Sequence, residues 1–196
     1  MSKTNIDILG NGSSNALYTP TNNYVIACNV PQHGYAYNAL SIIDTRPLNY
    51  MKDKAWRPRV PVYCTKQVKE TAVKFNIEGD WFDVYEKRDR WNSGHHAVIK
   101  HHARAKVIHL WGFDSMFSSD LSSQCDTIIP RHTRPPLNKH WHPIWREILD
   151  KISCQIVLHI PKGAECAISH EKLTIEQHET QDTSTDGYEC RLCKRC

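Results

Sequence analysis

The sequence lacks a long apolar segment. None of its apolar runs approaches the roughly 18 consecutive residues that a membrane-spanning helix needs. The opening residues 1–5 also lack the apolar core of a secretion signal. We therefore expect a cytoplasmic protein with no membrane partner.

Complete versions of several common motifs are missing as well. Asn15 stands where the Gly-X-Gly-X-X-Gly fingerprint has its third glycine, and no Gly-Lys-Ser/Thr follows to make a P-loop. The 12 histidines include no His-Glu-X-X-His zinc motif. These absences exclude a standard P-loop nucleotidase and a zinc protease of that type.

Composition and charge describe an ordinary globular domain. The chain has 196 residues, 40% of them apolar and 23% charged, which is enough for one domain with a sizeable core. The net charge is only +4, so we interpret the basic clusters at residues 57–59, 87–90 and 131–134 mainly as solvated surface. A nucleic-acid partner is an alternative that we do not favour.

We do not expect the eight cysteines to form a disulfide framework. Five of them are scattered singly, and without an export signal we expect free thiols. The other three, Cys190, Cys193 and Cys196, have metal-ligand spacing, and His178 or Cys166 is available as a fourth zinc ligand. A weakly ordered tail over residues 171–196, after a last short strand near 173–175, is the interpretation that we favour over zinc binding or a redox role.

Apolar runs alternate with amphipathic segments along residues 1–170, the predicted domain. Strands are predicted at residues 6–9, 24–28, 40–44, 60–64, 81–85, 107–110 and 155–160. Helices are predicted at residues 66–75, after Ser93-Gly94, and at about 142–152. This alternation is typical of an α/β protein, so we predict a Rossmann-like three-layer sandwich with a mainly parallel sheet.

The first predicted strand ends in the turn Gly10-Asn11-Gly12-Ser13-Ser14. Glycines let backbone N–H groups approach an anion, and a helix that starts at Ser13 or Ser14 adds its positive end. A plain strand-to-helix turn is the alternative. We predict that these five residues hold the phosphate or ribose of a nucleotide.

A second turn, Asn92-Ser93-Gly94-His95, precedes a predicted helix. Ser93 is suited to cap that helix, and Gly94 exposes N–H groups at its N-terminus. We predict that this turn binds the other end of the nucleotide, with His95 the histidine nearest a bound phosphate. A simple helix cap without a ligand is the alternative.

Other candidate residues lie near the predicted carboxyl edge of the sheet, where α/β proteins bind ligands. Asp44 ends one predicted strand, and Asp114 comes shortly after another. Residues 115–138 have little periodicity and suggest a loop that covers the substrate. Within this loop, Arg131 and Arg134 are expected to clamp phosphate.

These turns, followed by the strand and turn at residues 107–114, form a recognisable pattern. Over roughly residues 5–162 it resembles the sialyltransferase-like and 6-hydroxymethylpterin pyrophosphokinase-like group of Rossmann-type transferases. That group has a Gly-Asn-Gly-X-Ser opening, a Ser/Thr-Gly helix start and a strand that closes in Gly-X-Asp. Small phage-encoded members are common, so the resemblance also fits a viral protein in the host cytoplasm.

The resemblance implies two activities. In the sialyltransferase branch, a nucleotide-sugar donor lies across the two turns and a histidine acts as general base; the matching residues here are His140 and His142, just before the helix predicted near Pro143. Asp114 then positions a hydroxyl or a metal. In the pyrophosphokinase branch, Asp44 and Asp114 hold Mg²⁺ during diphosphate transfer from ATP.

Glycosyl transfer from a nucleotide-sugar donor to an unidentified acceptor is the function that we favour. A protein that binds and sequesters a nucleotide without turnover is an alternative with the same pocket. A small zinc-bearing nucleic-acid adaptor, built on the basic loops and the cysteine tail, is another.

Overall fold

The computed structural model describes residues 3–31, 34–118 and 137–179. Its strands are β1 (Thr4–Leu9), β2 (Tyr24–Cys28), β3 (Ala39–Ile42), β4 (Val62–Thr65), β5 (Trp81–Tyr85), β6 (Ala105–Trp111), β7 (Gln155–Pro161) and β8 (Leu173–His178). Its α-helices are α1 (Arg46–Asp53), α2 (Lys66–Lys74), α3 (Ser93–His101) and α4 (Leu137–Lys151). Two short 3-10 helices, Ser13–Leu17 and Asp114–Met116, follow β1 and β6.

All eight strands form one sheet in the order β5-β4-β3-β2-β1-β6-β7-β8. Every pairing is parallel, so the predicted mainly parallel sheet is entirely parallel here. The chain winds outward from β1 to β5 and then returns to the other side of β1 with β6. The strand order therefore reverses between β1 and β6, where doubly wound sheets bind their ligands.

Two apolar cores lie on the two faces of the sheet, which confirms the Rossmann-like three-layer prediction. On one face, α3 and α4 cover the strands, and Trp145 and Ile148 of α4 are fully buried. On the other face, α1 and α2 cover β3 and β4, with Leu48 and Val68 fully buried. Alternate residues of β1 point to opposite faces, as in Ile8 and Leu9, because successive strand side chains alternate.

Some element boundaries differ from the sequence prediction. Helix α4 begins at Leu137 and contains Pro143, whereas the sequence predicts a helix start near that proline. Helix α1 was not predicted. Strand β8 extends the folded sheet past residue 170 and pairs with β7. Within the described ranges, no helix combines the length and the hydropathy that crossing a bilayer requires.

Candidate functional site

The turn after β1 packs directly against the turn after β6. The Gly10 N–H donates to the Trp111 carbonyl at 2.6 Å, and the Gly12 N–H donates to the Gly112 carbonyl at 2.9 Å. A Cβ atom on Gly12 would lie 2.3 Å from Asp114 Oδ1. Gly112 has a φ of +74°, a backbone conformation that side chains disfavour. Close packing therefore accounts for these glycines without a ligand.

The Asp114 carboxylate lies at the start of the Ser13–Leu17 3-10 helix. Its oxygens accept hydrogen bonds from the Ser13 hydroxyl at 2.7 Å, from the Ser14 hydroxyl and from the Ser14 N–H at 3.2 Å. Asp114 is buried, so these donors compensate its charge where water is excluded. The Ser13 and Ser14 donors, which the sequence analysis assigned to a nucleotide, therefore bind the chain's own carboxylate. A ligand at this turn would contact Asn11 instead.

The second predicted turn is the N-terminus of α3, and the helix has a cap there, although not from the predicted residue. The Asn92 side chain accepts from the His95 N–H at 2.9 Å, and His95 Nδ1 accepts from the Asn92 N–H at 3.0 Å. These two bonds form a reciprocal capping box in which histidine replaces the usual glutamate. Asn92 rather than Ser93 is the capping residue.

Ser93 instead connects α3 to the end of β2. Its hydroxyl donates to Asn29 Oδ1 at 3.0 Å, and its carbonyl accepts from the Ser41 hydroxyl at 2.8 Å. Asn29 follows β2 with a φ of +59°, a conformation that asparagine tolerates better than most residues. The sequence analysis missed Asn29. An asparagine directly after a buried strand was the available signal.

Phe113 brings the two predicted turns to one edge of the sheet. A Cβ atom on Gly94 would lie 2.3 Å from the Phe113 ring, and one on Gly10 would lie 3.2 Å from the same ring. The ring is buried and packs edge-on against Trp145 of α4. Residues 10–14 and 92–95 therefore lie on the same side of the molecule, as the sequence analysis predicts.

A small depression opens at the ends of β1 and β2. It is lined by Leu9, Gly10, Asn11, Asn15, Ala27, Cys28, Pro31 and Tyr35. Asn11 is half-buried in it, and the half-buried Asn29 directly follows Cys28 in the chain. The depression therefore combines apolar side chains with amide groups, but its empty volume of about 200 Å³ is below the roughly 300–1,000 Å³ of typical small-molecule sites.

Of the two predicted general bases, His142 is held beside the β6 turn. Its Nε2–H donates to the Ser115 carbonyl at 2.8 Å, which leaves Nδ1 as the basic nitrogen. His142 is half-buried within α4, not before its start as predicted. His140 also lies in α4, and its side chain is outside the described residues. Hydrogen bonding of one ring nitrogen to a carbonyl orients an imidazole for proton transfer.

The histidines of α3 are buried and belong to the core. Burial lowers the pKa of His95 well below its usual value, and the neighbouring His96 lowers it further. Burial, and then Arg88, lowers the pKa of His96 to about 4. Burial, and then Arg104, lowers that of His101 to about 3. These rings are neutral at pH 7 and offer no positive charge to a phosphate.

Among the remaining candidates, the described residue Asp44 is not placed beside Asp114. Asp44 is exposed and follows β3, which is separated from β6 by β2 and β1. Three strand spacings amount to about 14 Å, whereas two ligand oxygens of one Mg²⁺ lie at most about 4 Å apart. Shared coordination of Mg²⁺ by Asp44 and Asp114 is therefore not supported. Arg131, Arg134 and the predicted zinc ligands, Cys190, Cys193 and Cys196, lie outside the described residues.

No family model, curated protein or solved structure matches this chain. The chemistry of the site is therefore argued from its own residues.

Proposed function

We propose that this chain binds a nucleotide at the carboxyl ends of β1 and β2 and transfers a glycosyl group from a nucleotide-sugar donor. The observation that carries the proposal is the convergence of the two turns at the point where strand order reverses. The hydrogen bond from Ser93 to Asn29 and the packing of Phe113 against both turns hold this arrangement together. Ligands of doubly wound sheets bind at this location.

The polar groups of the site favour recognition by neutral hydrogen bonds. The half-buried Asn11 and Asn29 amides provide donors and acceptors for a ribose or base. Asp114 engages Ser13 and Ser14, so we assign these serines the role of holding the turn in place. We assign Asn11 and Asn29 the direct contacts with the nucleotide.

The chemistry that we propose is general-base activation of an acceptor hydroxyl. His142 is the candidate base because its Nε2–H is committed to Ser115 and its Nδ1 is available to take a proton. Diphosphate transfer from ATP has less support, because its two predicted Mg²⁺ ligands follow strands three positions apart.

Calorimetric titration with CMP, UMP, AMP, GMP and their sugar conjugates tests the binding step. We expect one nucleotide to bind, and we expect Asn29→Ala to weaken its binding at least tenfold. Asn49→Ala, at an exposed position of α1, is the matched control and should leave the affinity unchanged. If no member of the panel binds, or if Asn29→Ala binds as the wild type does, the proposed site is wrong.

Hydrolysis of the bound sugar nucleotide tests the catalytic step and requires no acceptor. A general base contributes about 10²- to 10⁴-fold to a rate, so His142→Ala should lower turnover by that factor and retain binding. His140→Ala is measured in parallel because the resemblance leaves both histidines open. Tight binding without turnover by the wild type would instead favour the non-catalytic nucleotide binder.

A further inference from the structure

A second cluster of polar side chains lies on β7 and β8, beyond the nucleotide site. His159 of β7 pairs with Glu176 of β8 in the parallel register. His178 follows Glu176 by two positions, so all three side chains project from the same face of the sheet. This is the face opposite to the one that α3 and α4 cover.

We propose that His159, Glu176 and His178 bind one divalent metal ion of the zinc class. The ligand atoms are His159 Nδ1, a Glu176 carboxylate oxygen and His178 Nε2, with a fourth position open to water. Two imidazoles and one carboxylate are a donor set that zinc takes in proteins, whereas magnesium prefers oxygen ligands.

The distances among the three side chains suit a single ion. His159 Nδ1 lies 2.8 Å from His178 Nε2, and each nitrogen lies 3.8 Å from a Glu176 oxygen. Tetrahedral ligands at metal distances near 2.1 Å are about 3.4 Å apart. Adjustments of about half an ångström therefore bring all three atoms to coordination distance, and the exposed Glu176 side chain is able to supply much of that movement.

The surroundings of His159 hold its ring in the required orientation. His109 Nδ1 lies 3.0 Å from His159 Nε2, so an Nε2–H donated to His109 leaves the His159 Nδ1 lone pair for the metal. The Trp111 ring stacks on His159 at 3.5 Å with an interplanar angle of 3°.

Access to the cluster is one-sided. The His159 side chain is 3% exposed, that of His178 is 26% exposed and that of Glu176 is 54% exposed. An ion bound here would thus be anchored at its buried side and reach solvent past Glu176. Because β8 lies at the edge of the sheet, the ion would also tie this strand to β7.

A chain of hydrogen bonds through His109, His159 and His178 without a metal is the competing explanation. The two differ in a measurable way. A metal site takes up one equivalent of Zn²⁺ or Co²⁺ and depends on Glu176, whereas the hydrogen-bonded chain requires neither.

The experiment uses the full chain, stripped of metal with a chelator and titrated with Zn²⁺, Co²⁺ or Mg²⁺ at pH 7.5. Cys190, Cys193 and Cys196 are replaced by serine in one background, so that zinc on the cysteine tail is distinguished from zinc on the sheet. We expect one equivalent of Zn²⁺ or Co²⁺ to bind in both backgrounds, a visible absorption band for bound Co²⁺, and no comparable binding of Mg²⁺.

Glu176→Gln and His178→Gln replace exposed or half-buried side chains and should lower the affinity at least tenfold without loss of folding. His170→Gln is the matched control, since His170 pairs with Asp150 at 3.2 Å but belongs to no three-ligand group among the described residues. Quenching of tryptophan fluorescence by Co²⁺ should weaken in Trp111→Phe. Loss of zinc with the cysteine replacements alone, or unchanged affinity in Glu176→Gln and His178→Gln, would overturn the proposal.

Discussion

At the scale of single residues, the glycines of the first turn have a different explanation from the predicted one. The sequence suggested that Gly10 and Gly12 let an anion approach the backbone. The structure shows that the turn after β6 occupies this space, with Gly112 and Asp114 in close contact. Closely spaced glycines indicate that another group approaches the backbone. Here that group is the turn after β6 and not a ligand.

Asp114→Asn should destabilise the fold by about 3 kcal/mol, because hydrogen bonds to a charged acceptor contribute about 1.5–3 kcal/mol and this buried carboxylate accepts several. Urea unfolding monitored by circular dichroism measures the change. Asp44→Asn is the control, since Asp44 is exposed and should change stability by less than about 0.5 kcal/mol. Equal effects of the two substitutions would contradict this role of Asp114.

At the scale of elements, helix α3 links the site to the core. Its first turn carries the Asn92–His95 capping box and presents Ser93 to Asn29, while His95 packs 4.6 Å from the Trp145 ring. A single short helix thus connects the end of β2 with α4. Because the capping box fixes the first residue of α3, it also fixes the position from which Ser93 binds Asn29.

Asn92→Ala should lower stability by about 1 kcal/mol, because loss of an N-cap acceptor typically costs this much. Asn92→Asp retains a side-chain oxygen for the His95 N–H and a negative charge that suits a helix N-terminus. We therefore expect thermal unfolding of Asn92→Asp to match the wild type. If both variants are equally destabilised, the side-chain amide matters for a reason other than capping.

At the scale of the whole molecule, several histidines are buried as neutral rings. His95 packs against Trp145 of α4, and His96 packs against Trp91, just before α3. His101 packs against Tyr63, and His159 stacks on Trp111. Burial lowers the pKa of all four, to about 4 for His96 and about 3 for His101 and His159. Folding therefore excludes protons that the unfolded chain would accept.

Stability should consequently be greatest above pH 6.5 and fall as the pH drops toward 4. In this window the unfolded chain binds protons with a pKa near 6.5 and the folded chain does not, so each ring contributes a slope of up to about 1.4 kcal/mol per pH unit. Urea unfolding between pH 7.5 and 5, with chelator present, measures the slope. His101→Leu removes one of these groups and should reduce the slope by up to about 1.4 kcal/mol per pH unit; an unchanged slope would contradict the assignment.

Much of the fold follows from local patterns. The strands at residues 24–28 and 81–85 have the predicted bounds, because short apolar runs between turns indicate strands directly. Helix α1 was missed, since it is short and only Pro47, Leu48 and Met51 of it are buried. The start of α4 was misplaced because proline is normally confined to a first helical turn, and here Pro143 lies further inside.

The sequence alone determined the α/β class, the parallel sheet and the placement of both turns at its carboxyl edge, because hydrophobic periodicity and turn residues act locally. Only the tertiary structure decided which side chains meet: Asp114 with Ser13 and Ser14, Asn29 with Ser93, and His159 with Glu176 and His178. The physical reason is that strand order and register are set by packing between distant segments. A shift of one residue turns a strand side chain to the opposite face of the sheet.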